Sequence, residues 1–157
     1  MAVASEIKLS SLLKEKYITL ALEEKTKNKV IVEMVDLISQ SGKVKDRRAF
    51  ANAILKREKL GSTGIGNGVA IPHAKSPKVA GFVIGFGRHS AGIDFGALDG
   101  EKTHLFFILA SPESDVGAHL KILADISRLV KDKFIVDRLK AAKDKKEILK
   151  LIANAEI

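Results

Sequence analysis

One histidine of this sequence directly follows a proline at the end of a glycine-rich segment. Pro72 and the short apolar stretch of residues 69–71 precede His73, and residues 61–68 contain four glycines. Imidazole is nucleophilic and largely neutral near pH 7, so it can accept a phosphoryl group without a separate base. Proline fixes its own φ and favours an extended residue before it, which would hold the imidazole at a defined angle. This order of residues favours nucleophilic chemistry at His73, and the alternative is an ordinary turn that contains a histidine.

The four glycines have two interpretations. They allow a partner to approach the backbone closely, and their N–H groups can bind phosphate oxygens. Alternatively, they serve only tight turns. Their spacing matches neither a P-loop, which ends in Gly-Lys-Ser/Thr, nor the G-x-G-x-x-G dinucleotide fingerprint. A nucleotide site is therefore poorly supported.

Two further side chains are candidates for contact with a phosphoryl group. The guanidinium of Arg57 offers paired donors to phosphate oxygens, which a lysine cannot reproduce. Its alternative role is to interact with the dipole at the end of a helix. His119 lies in the early turns of a predicted helix, where the field favours phosphate. Because it also borders an apolar stripe, it has a second interpretation as a buried structural histidine.

Residues 57–73 read Arg-Glu-Lys-Leu-Gly-Ser-Thr-Gly-Ile-Gly-Asn-Gly-Val-Ala-Ile-Pro-His. This run resembles the phosphorylation segment of enzyme IIA domains of the fructose, mannitol and nitrogen-regulatory type, from the bacterial phosphoenolpyruvate-dependent phosphotransferase system. The resemblance implies that His73 accepts a phosphoryl group, that His119 helps to stabilise it and that Arg57 faces it. It covers nearly the whole chain. One mild departure is Ala74, where glycine is common in the family.

The other polar candidates near the segment have weaker support. The hydroxyl groups of Ser62 and Thr63 are possible additional donors to phosphate. His89 stands beside an arginine in a predicted turn, and His104 opens a predicted buried strand. We interpret these last two histidines as structural.

The resemblance also implies a role for the protein. A phosphohistidine carrier of this kind receives its phosphoryl group from the histidine phosphocarrier protein HPr, or from the nitrogen-branch paralogue of HPr. It passes the group to an enzyme IIB or holds it as a regulatory signal, and it requires no metal or organic cofactor. The unbroken Gly-Ser-Thr-Gly-Ile-Gly-Asn-Gly run favours the nitrogen-regulatory branch, with a sugar-uptake subunit as the alternative.

Two other classes of function remain as alternatives. A metallohydrolase could use His73 and His119 as ligands, but the sequence has no H-E-x-x-H or comparable cluster. A binding module could keep the fold and lose phosphotransfer. The presence of Arg57 together with both histidines argues against that loss.

Composition and charge limit the compartment and the partners. The chain has 157 residues, no cysteine and a formal net charge of +8. Residues 131–150 contain eight Lys/Arg against four Asp/Glu, interleaved as on solvated helix faces. Aromatic residues make up only 5 %, which leaves little for base stacking and argues against nucleic acid. A basic rim that attracts acidic protein partners fits the charge equally well.

We expect a cytoplasmic protein without direct membrane insertion. The absence of cysteine fits a reducing compartment, and the first residues do not resemble a signal peptide. No apolar stretch approaches the roughly 18 residues of a membrane span.

The elements that would position these residues alternate between strands and helices. The pattern predicts one α/β domain over residues 1–157, a sandwich with helices on both faces of a sheet. The resemblance implies that the sheet is mixed. Strands are predicted at residues 17–22, 69–71, 79–87 and 103–110. Helices are predicted as a short turn at 10–13 and at 29–39, 46–59, 115–130, 132–142 and 144–153, with Asp46 and Ser114 or Asp115 as N-caps.

Overall fold

Six strands form one mixed sheet in the computed structural model, which describes residues 7–156. The strands are β1 (Leu13–Thr19), β2 (Gly64–Gly66), β3 (Val69–Ala70), β4 (His73–Ser76), β5 (Val83–Ile93) and β6 (Thr103–Pro112). Their order is β1-β5-β6-β3-β2, and β4 pairs with β6 farther along that strand than β3 does. Strand β5 is antiparallel to β6, whereas β1 runs parallel to β5, and β3 and β4 run parallel to β6.

Helices cover the sheet in two groups. They are α1 (Leu9–Leu12), α2 (Lys27–Ser39), α3 (Arg47–Lys59), α4 (Val116–Val130), α5 (Lys133–Ala141) and α6 (Lys145–Ala155). Helices α2 and α3 pack on each other and on β1, β4 and β5, while α1, α4, α5 and α6 contact one another and β1, β5 and β6. The predicted architecture, a mixed sheet flanked by helices, is confirmed. Within residues 7–156, no helix is both long enough and apolar enough to cross a membrane.

The core lies between the central strands and these helices. Nearly every residue of β6 is buried, as its continuous apolar run predicts. Two glycines of β5 allow α2 to approach the sheet closely. A Cβ atom at Gly85 would lie 2.5 Å from Ile38 Cγ2, and one at Gly87 would lie 2.5 Å from Met34 Sδ. The small residues of this strand are therefore required by packing against α2.

The helix N-termini follow the sequence closely. Asp46 accepts a hydrogen bond from the Ala49 N–H, and Asp115 accepts one from Ala118. Of the two residues predicted as possible caps for α4, Asp115 is the cap. These side chains satisfy backbone donors that the first turn of a helix leaves free.

Two strand predictions need correction, and two short strands were not predicted. Strand β1 begins at Leu13 and ends at Thr19, earlier than the predicted 17–22. Strand β5 begins at Val83, not at residue 79, because Val79 forms a bridge with Val44 of the α2–α3 connection and the Ala80 N–H donates to the Lys43 carbonyl, instead of pairing with β6. It then continues to Ile93 because its antiparallel pairing with β6 continues to Thr103. His89 therefore lies in a strand and not in a turn. The two strands that were not predicted are β2 and β4.

Candidate active site

The parallel pairing of β4 with β6 positions His73. His73 is the first residue of β4, lies opposite Leu109 of β6 and is half-buried. Its Nδ1 lies 2.7 Å from the Ile71 carbonyl oxygen. A carbonyl can only accept, so this contact requires a hydrogen on Nδ1. In the neutral ring, Nε2 then carries the free lone pair and is the nucleophilic atom.

His119 lies beside His73 although the two residues belong to different elements. The centroids of the two rings are 5.6 Å apart. His119 is the fourth residue of α4 and is only 4 % exposed, and its Nδ1 lies 2.7 Å from Ser111 Oγ at the end of β6. When the Ser111 hydroxyl donates to Nδ1, the His119 Nε2 carries a hydrogen that can be donated to an anion.

The surroundings of both imidazoles favour the neutral form of the ring. Burial lowers the pKa of His73 below the usual 6.5; its bond to the Ile71 carbonyl and the charge of Glu58 oppose this change, while Arg57 and Lys75 add to it. Burial also lowers the pKa of His119, to about 4, and the charges of His73 and Lys75 act in the same direction. A neutral His73 has the lone pair that a nucleophile needs.

Arg57 lies close enough to His73 for its charge to act on that residue. It lies in the last turn of α3, and its Nη1 donates to the Gly61 carbonyl oxygen at 3.0 Å. Its positive charge acts on the pKa of His73. The guanidinium has further donors beyond this one bond, and these can serve an anion at the site.

Glu58 is a site residue that the sequence analysis did not identify. Its side chain is 4 % exposed, and its carboxylate forms a salt bridge of 2.9 Å with Lys27 Nζ. It also accepts hydrogen bonds from the Thr63 N–H, at 3.1 Å, and from the Thr63 hydroxyl. The Lys27 amine donates in turn to the Phe95 carbonyl and lies over the Phe95 ring. A glutamate beside an arginine at a helix end gave no signal for this pairing, because Lys27 and Phe95 are distant in sequence.

The two candidate hydroxyl groups have partners within the fold. Thr63 is buried and donates to Glu58. The Ser62 hydroxyl donates to the Phe95 carbonyl at 2.8 Å and accepts from the Gly64 N–H. These bonds fix the loop that precedes β2, and a role of either hydroxyl in phosphate binding stays a prediction.

The glycine-rich segment folds as a tight hairpin. Strands β2 and β3 are joined by Asn67 and Gly68, with φ values of 57° and 77°. This left-handed pair is the usual connection of a two-residue hairpin. Gly64 packs so closely that a Cβ atom would lie 2.9 Å from Ala97 Cα. These contacts support the interpretation of the glycines as turn and packing residues.

The remaining predictions about single residues concern Ala74 and two histidines. Ala74 is buried in β4 opposite Ala110, so its methyl group fits an ordinary strand. His89 is buried, with Nε2 at 2.7 Å from the Glu24 carbonyl oxygen and Nδ1 accepting from the Gly92 N–H. His104 Nδ1 contacts the His89 carbonyl oxygen. All these contacts are internal to the fold, as expected for structural histidines.

The described residues offer no ligand set for a metal ion. Within residues 7–156, no group of three or more His, Cys, Asp and Glu side chains could hold one. His73 and His119 face each other without a third such ligand. The metallohydrolase alternative therefore gains no support from the site.

Residues 11–155 match the family described as "Phosphoenolpyruvate-dependent sugar phosphotransferase system, EIIA 2". The chain belongs to this family. The predicted family and activity class, a phosphotransferase component that carries a phosphoryl group, are thereby confirmed. Enzyme IIA components of this system are phosphohistidine carriers.

Known proteins of two kinds resemble this enzyme IIA. The fructose-specific EIIABC component of Bacillus subtilis is 41 % identical over 146 residues, which are 93 % of this chain and 23 % of that protein. This chain thus spans under a quarter of that relative. The crystal structure of the nitrogen regulatory protein IIA-Ntr from Neisseria meningitidis matches with a TM-score of 0.87 and 30 % identity. The match covers 92 % of this chain and 98 % of the Neisseria chain. The IIA of Escherichia coli solved in complex with phosphorylated IIB of the mannitol system shares the fold, with a TM-score of 0.79, 23 % identity and coverage of 91 % and 99 %.

The lowered pKa of His119 predicts how the stability of this enzyme IIA depends on pH. Between pH 6.5 and about 4, the unfolded chain binds a proton at this residue that the folded protein does not bind. The stabilising contribution is therefore complete above pH 6.5 and is lost as the pH falls through this range. His119→Gln should flatten this part of the profile. The measurement is urea unfolding of both proteins at a series of pH values, and two parallel profiles would contradict the prediction.

Proposed function

We propose that His73 is the residue of this enzyme IIA that carries the phosphoryl group, and that Nε2 forms the bond to phosphorus. One observation carries the proposal: Nδ1 of His73 is held by the Ile71 carbonyl at 2.7 Å while the ring of His119 lies 5.6 Å away, centroid to centroid. The first contact leaves Nε2 as the nucleophile of the neutral ring. The second provides a group that can donate a hydrogen bond to a phosphoryl oxygen.

The transfer itself requires little of the protein beyond positioning and charge. The lone pair of His73 Nε2 attacks phosphorus in line with the bond to the donor's imidazole nitrogen. As the new N–P bond forms, the old one breaks and its electron pair returns to the donor ring. Phosphoryl transfer of this kind is accelerated mainly by orientation and by charges that neutralise the equatorial oxygens.

Two side chains would supply that neutralisation. Arg57 brings a permanent positive charge near His73, and His119 is a neutral donor in the resting protein. A phosphoryl group carries close to two negative charges, and a negative charge nearby favours the protonated form of an imidazole. Phosphorylation of His73 would therefore raise the pKa of His119 from about 4 and strengthen its hydrogen bond to the phosphoryl group.

The surface around the site is suited to protein partners. Seven large apolar side chains are exposed within residues 7–156, and five of them lie in segments that form or contact the site. They are Leu60, Ile65, Leu98, Val116 and Leu120. Exposed apolar patches are typical of protein interaction sites. We assign this surface to the phosphoryl donor, HPr or its nitrogen-branch paralogue, and to an acceptor such as the IIB found with the mannitol IIA.

Sugar uptake and nitrogen regulation differ in what receives the phosphoryl group. A sugar-uptake IIA transfers it rapidly to a IIB, whereas a regulatory IIA keeps it and changes its binding to target proteins. The glycine-rich run favours the regulatory role for this chain. Incubation of the phosphorylated protein with IIB from the same organism distinguishes the two, because rapid loss of phosphate to IIB would assign it to sugar uptake.

The proposal predicts which residue accepts the phosphoryl group. After incubation with phosphoenolpyruvate, enzyme I and the phosphocarrier, the protein should gain the mass of one acid-labile phosphoryl group. His73→Ala should gain none, whereas the matched control His104→Gln should gain as much as the natural protein. Intact-protein mass spectrometry measures all three. Full phosphorylation of His73→Ala would overturn the assignment.

A second prediction concerns Arg57. Arg57→Ala removes a charge-assisted donor and should lower kcat/KM for uptake of the phosphoryl group by about 10²-fold. Arg57→Lys should restore only part of the rate, because an ammonium lacks the paired donors of a guanidinium. Rapid-quench measurement of phosphoryl uptake gives these values. Equal rates for all three proteins would show that Arg57 has no role in phosphoryl transfer and acts only at the end of α3.

A further inference from the structure

The last two long helices carry a concentration of unpaired positive charge. All eight Lys/Arg side chains of residues 131–150 are exposed, and none forms a salt bridge within residues 7–156. Against four carboxylates they leave a surplus of four, which is half of the formal net charge of +8. They are Lys131, Lys133, Arg138, Lys140, Lys143, Lys145, Lys146 and Lys150.

Most of the carboxylates in this region are committed to the backbone. Asp132 caps α5 and Asp144 caps α6, each by accepting from N–H groups of the first turn. Glu147 accepts from the Lys143 N–H. Asp137 is the exception, and it lines the side of α5 that faces the β2–β3 hairpin. Three of the four acidic groups therefore serve the helix ends, and none of the four forms a salt bridge with a lysine within residues 7–156.

An exposed aromatic ring accompanies these charges. Phe134 is 66 % exposed, and the guanidinium of Arg138 lies 4.9 Å from its ring centroid. Arg138 and Lys150 line one shallow groove between α5 and α6. We call the exposed surface of Phe134, Arg138, Lys143, Lys146 and Lys150 the basic face.

The basic face is separate from the phosphoryl site. On the hairpin side of α5, Lys140 lies against Gly68, whose carbonyl accepts from the N–H groups of His104 and Leu105 at the start of β6. His73 lies opposite Leu109, near the other end of that strand. At about 3.3 Å per residue, the part of β6 beside Lys140 is roughly 15 Å from the part beside His73. The basic face lies on the other side of α5, where Arg138 lines the groove with α6. A partner could occupy the basic face while His73 exchanges its phosphoryl group.

We propose that the basic face binds the surface of an anionic lipid membrane, without a spanning segment. Seven of the eight cations are lysines. Lysine is depleted in protein–protein interfaces, whereas clusters of four to eight Lys/Arg on amphipathic helices are typical of contact with anionic lipids. Phe134 supplies the apolar group that such surfaces place at the headgroup boundary. Nucleic acid fits less well, because one exposed phenylalanine gives no series of rings for base stacking.

The test is co-sedimentation of the full chain with vesicles. The protein should bind vesicles of phosphatidylcholine that contain about 30 % phosphatidylglycerol, and should not bind pure phosphatidylcholine. Binding should fall at least about tenfold when NaCl is raised from about 0.05 to 0.5 M, because salt screens the attraction between the exposed lysines and the lipid headgroups. Equal binding to both kinds of vesicle, or to neither, would overturn the proposal.

Matched variants distinguish the basic face from net charge. The triple change Lys143→Glu, Lys146→Glu and Lys150→Glu should weaken binding by about tenfold or more. Lys143 and Lys146 lie at and near the N-terminus of α6, where acids favour the helix, and Lys150 is an exposed position in the middle of α6. A control triple, Lys14→Glu, Lys25→Glu and Lys78→Glu, changes net charge equally at exposed sites elsewhere and should bind nearly as well as the natural protein.

The role of Phe134 and the folding of the variants are tested separately. Phe134→Ser should weaken binding several-fold, whereas Val32→Ser, which removes a partly exposed apolar side chain on α2, should not. Phosphoryl uptake at His73 should stay unchanged in the triple variants, which also confirms that they fold. Equal losses in the two triples, or tighter binding to a DNA duplex than to the anionic vesicles, would contradict the lipid assignment.

Discussion

The buried carboxylate of Glu58 connects three segments of the chain around the candidate active site. Its partners are the Lys27 amine at the start of α2 and both the N–H and the hydroxyl of Thr63 in the loop before β2. A charge in the interior is stable only while it is paired and hydrogen-bonded, and removing one partner of such a pair typically costs about 3–5 kcal/mol. If the loop before β2 moved away from α3, Glu58 would lose its hydrogen bonds to Thr63 and its buried charge would be destabilised. The same constraint holds the end of α3, and with it Arg57, next to the hairpin that leads to His73.

The charges around His73 and His119 favour the binding of an anion at the site. Burial lowers the pKa of both histidines, and positive charge adds to this effect: that of Arg57 and Lys75 at His73, and that of His73 and Lys75 at His119. A phosphoryl group on His73 would supply the negative charge that these residues lack. The Ile71 carbonyl, by holding Nδ1, leaves one nitrogen for that bond. If His73 is the phosphoryl acceptor, as we propose, its neutral ring lies near positive charges that are stabilised only once the phosphoryl group has been transferred.

Local features of the fold could be predicted from the sequence, whereas long-range contacts could not. The caps Asp46 and Asp115 and the buried strand β6 follow from residue types over a few positions. The start of β5 could not, because residues 79 and 80 pair with a connection far earlier in the chain. For the site, His73 had a local signal in Pro72 and the glycines. Its proximity to His119 was implied only by the family resemblance, and the pairing of Glu58 with Lys27 had no signal at all.

Nitrogen and phosphorus NMR of the phosphorylated protein, with labelled histidine, identifies the atom that carries the phosphoryl group. If His73 carries it on Nε2, with Nδ1 bonded to the Ile71 carbonyl, the spectra should show a single phosphohistidine. Its phosphorus should couple to Nε2 of His73, while Nδ1 keeps its hydrogen. A phosphoryl group on Nδ1 of His73, or on His119, would show that the assignment is wrong.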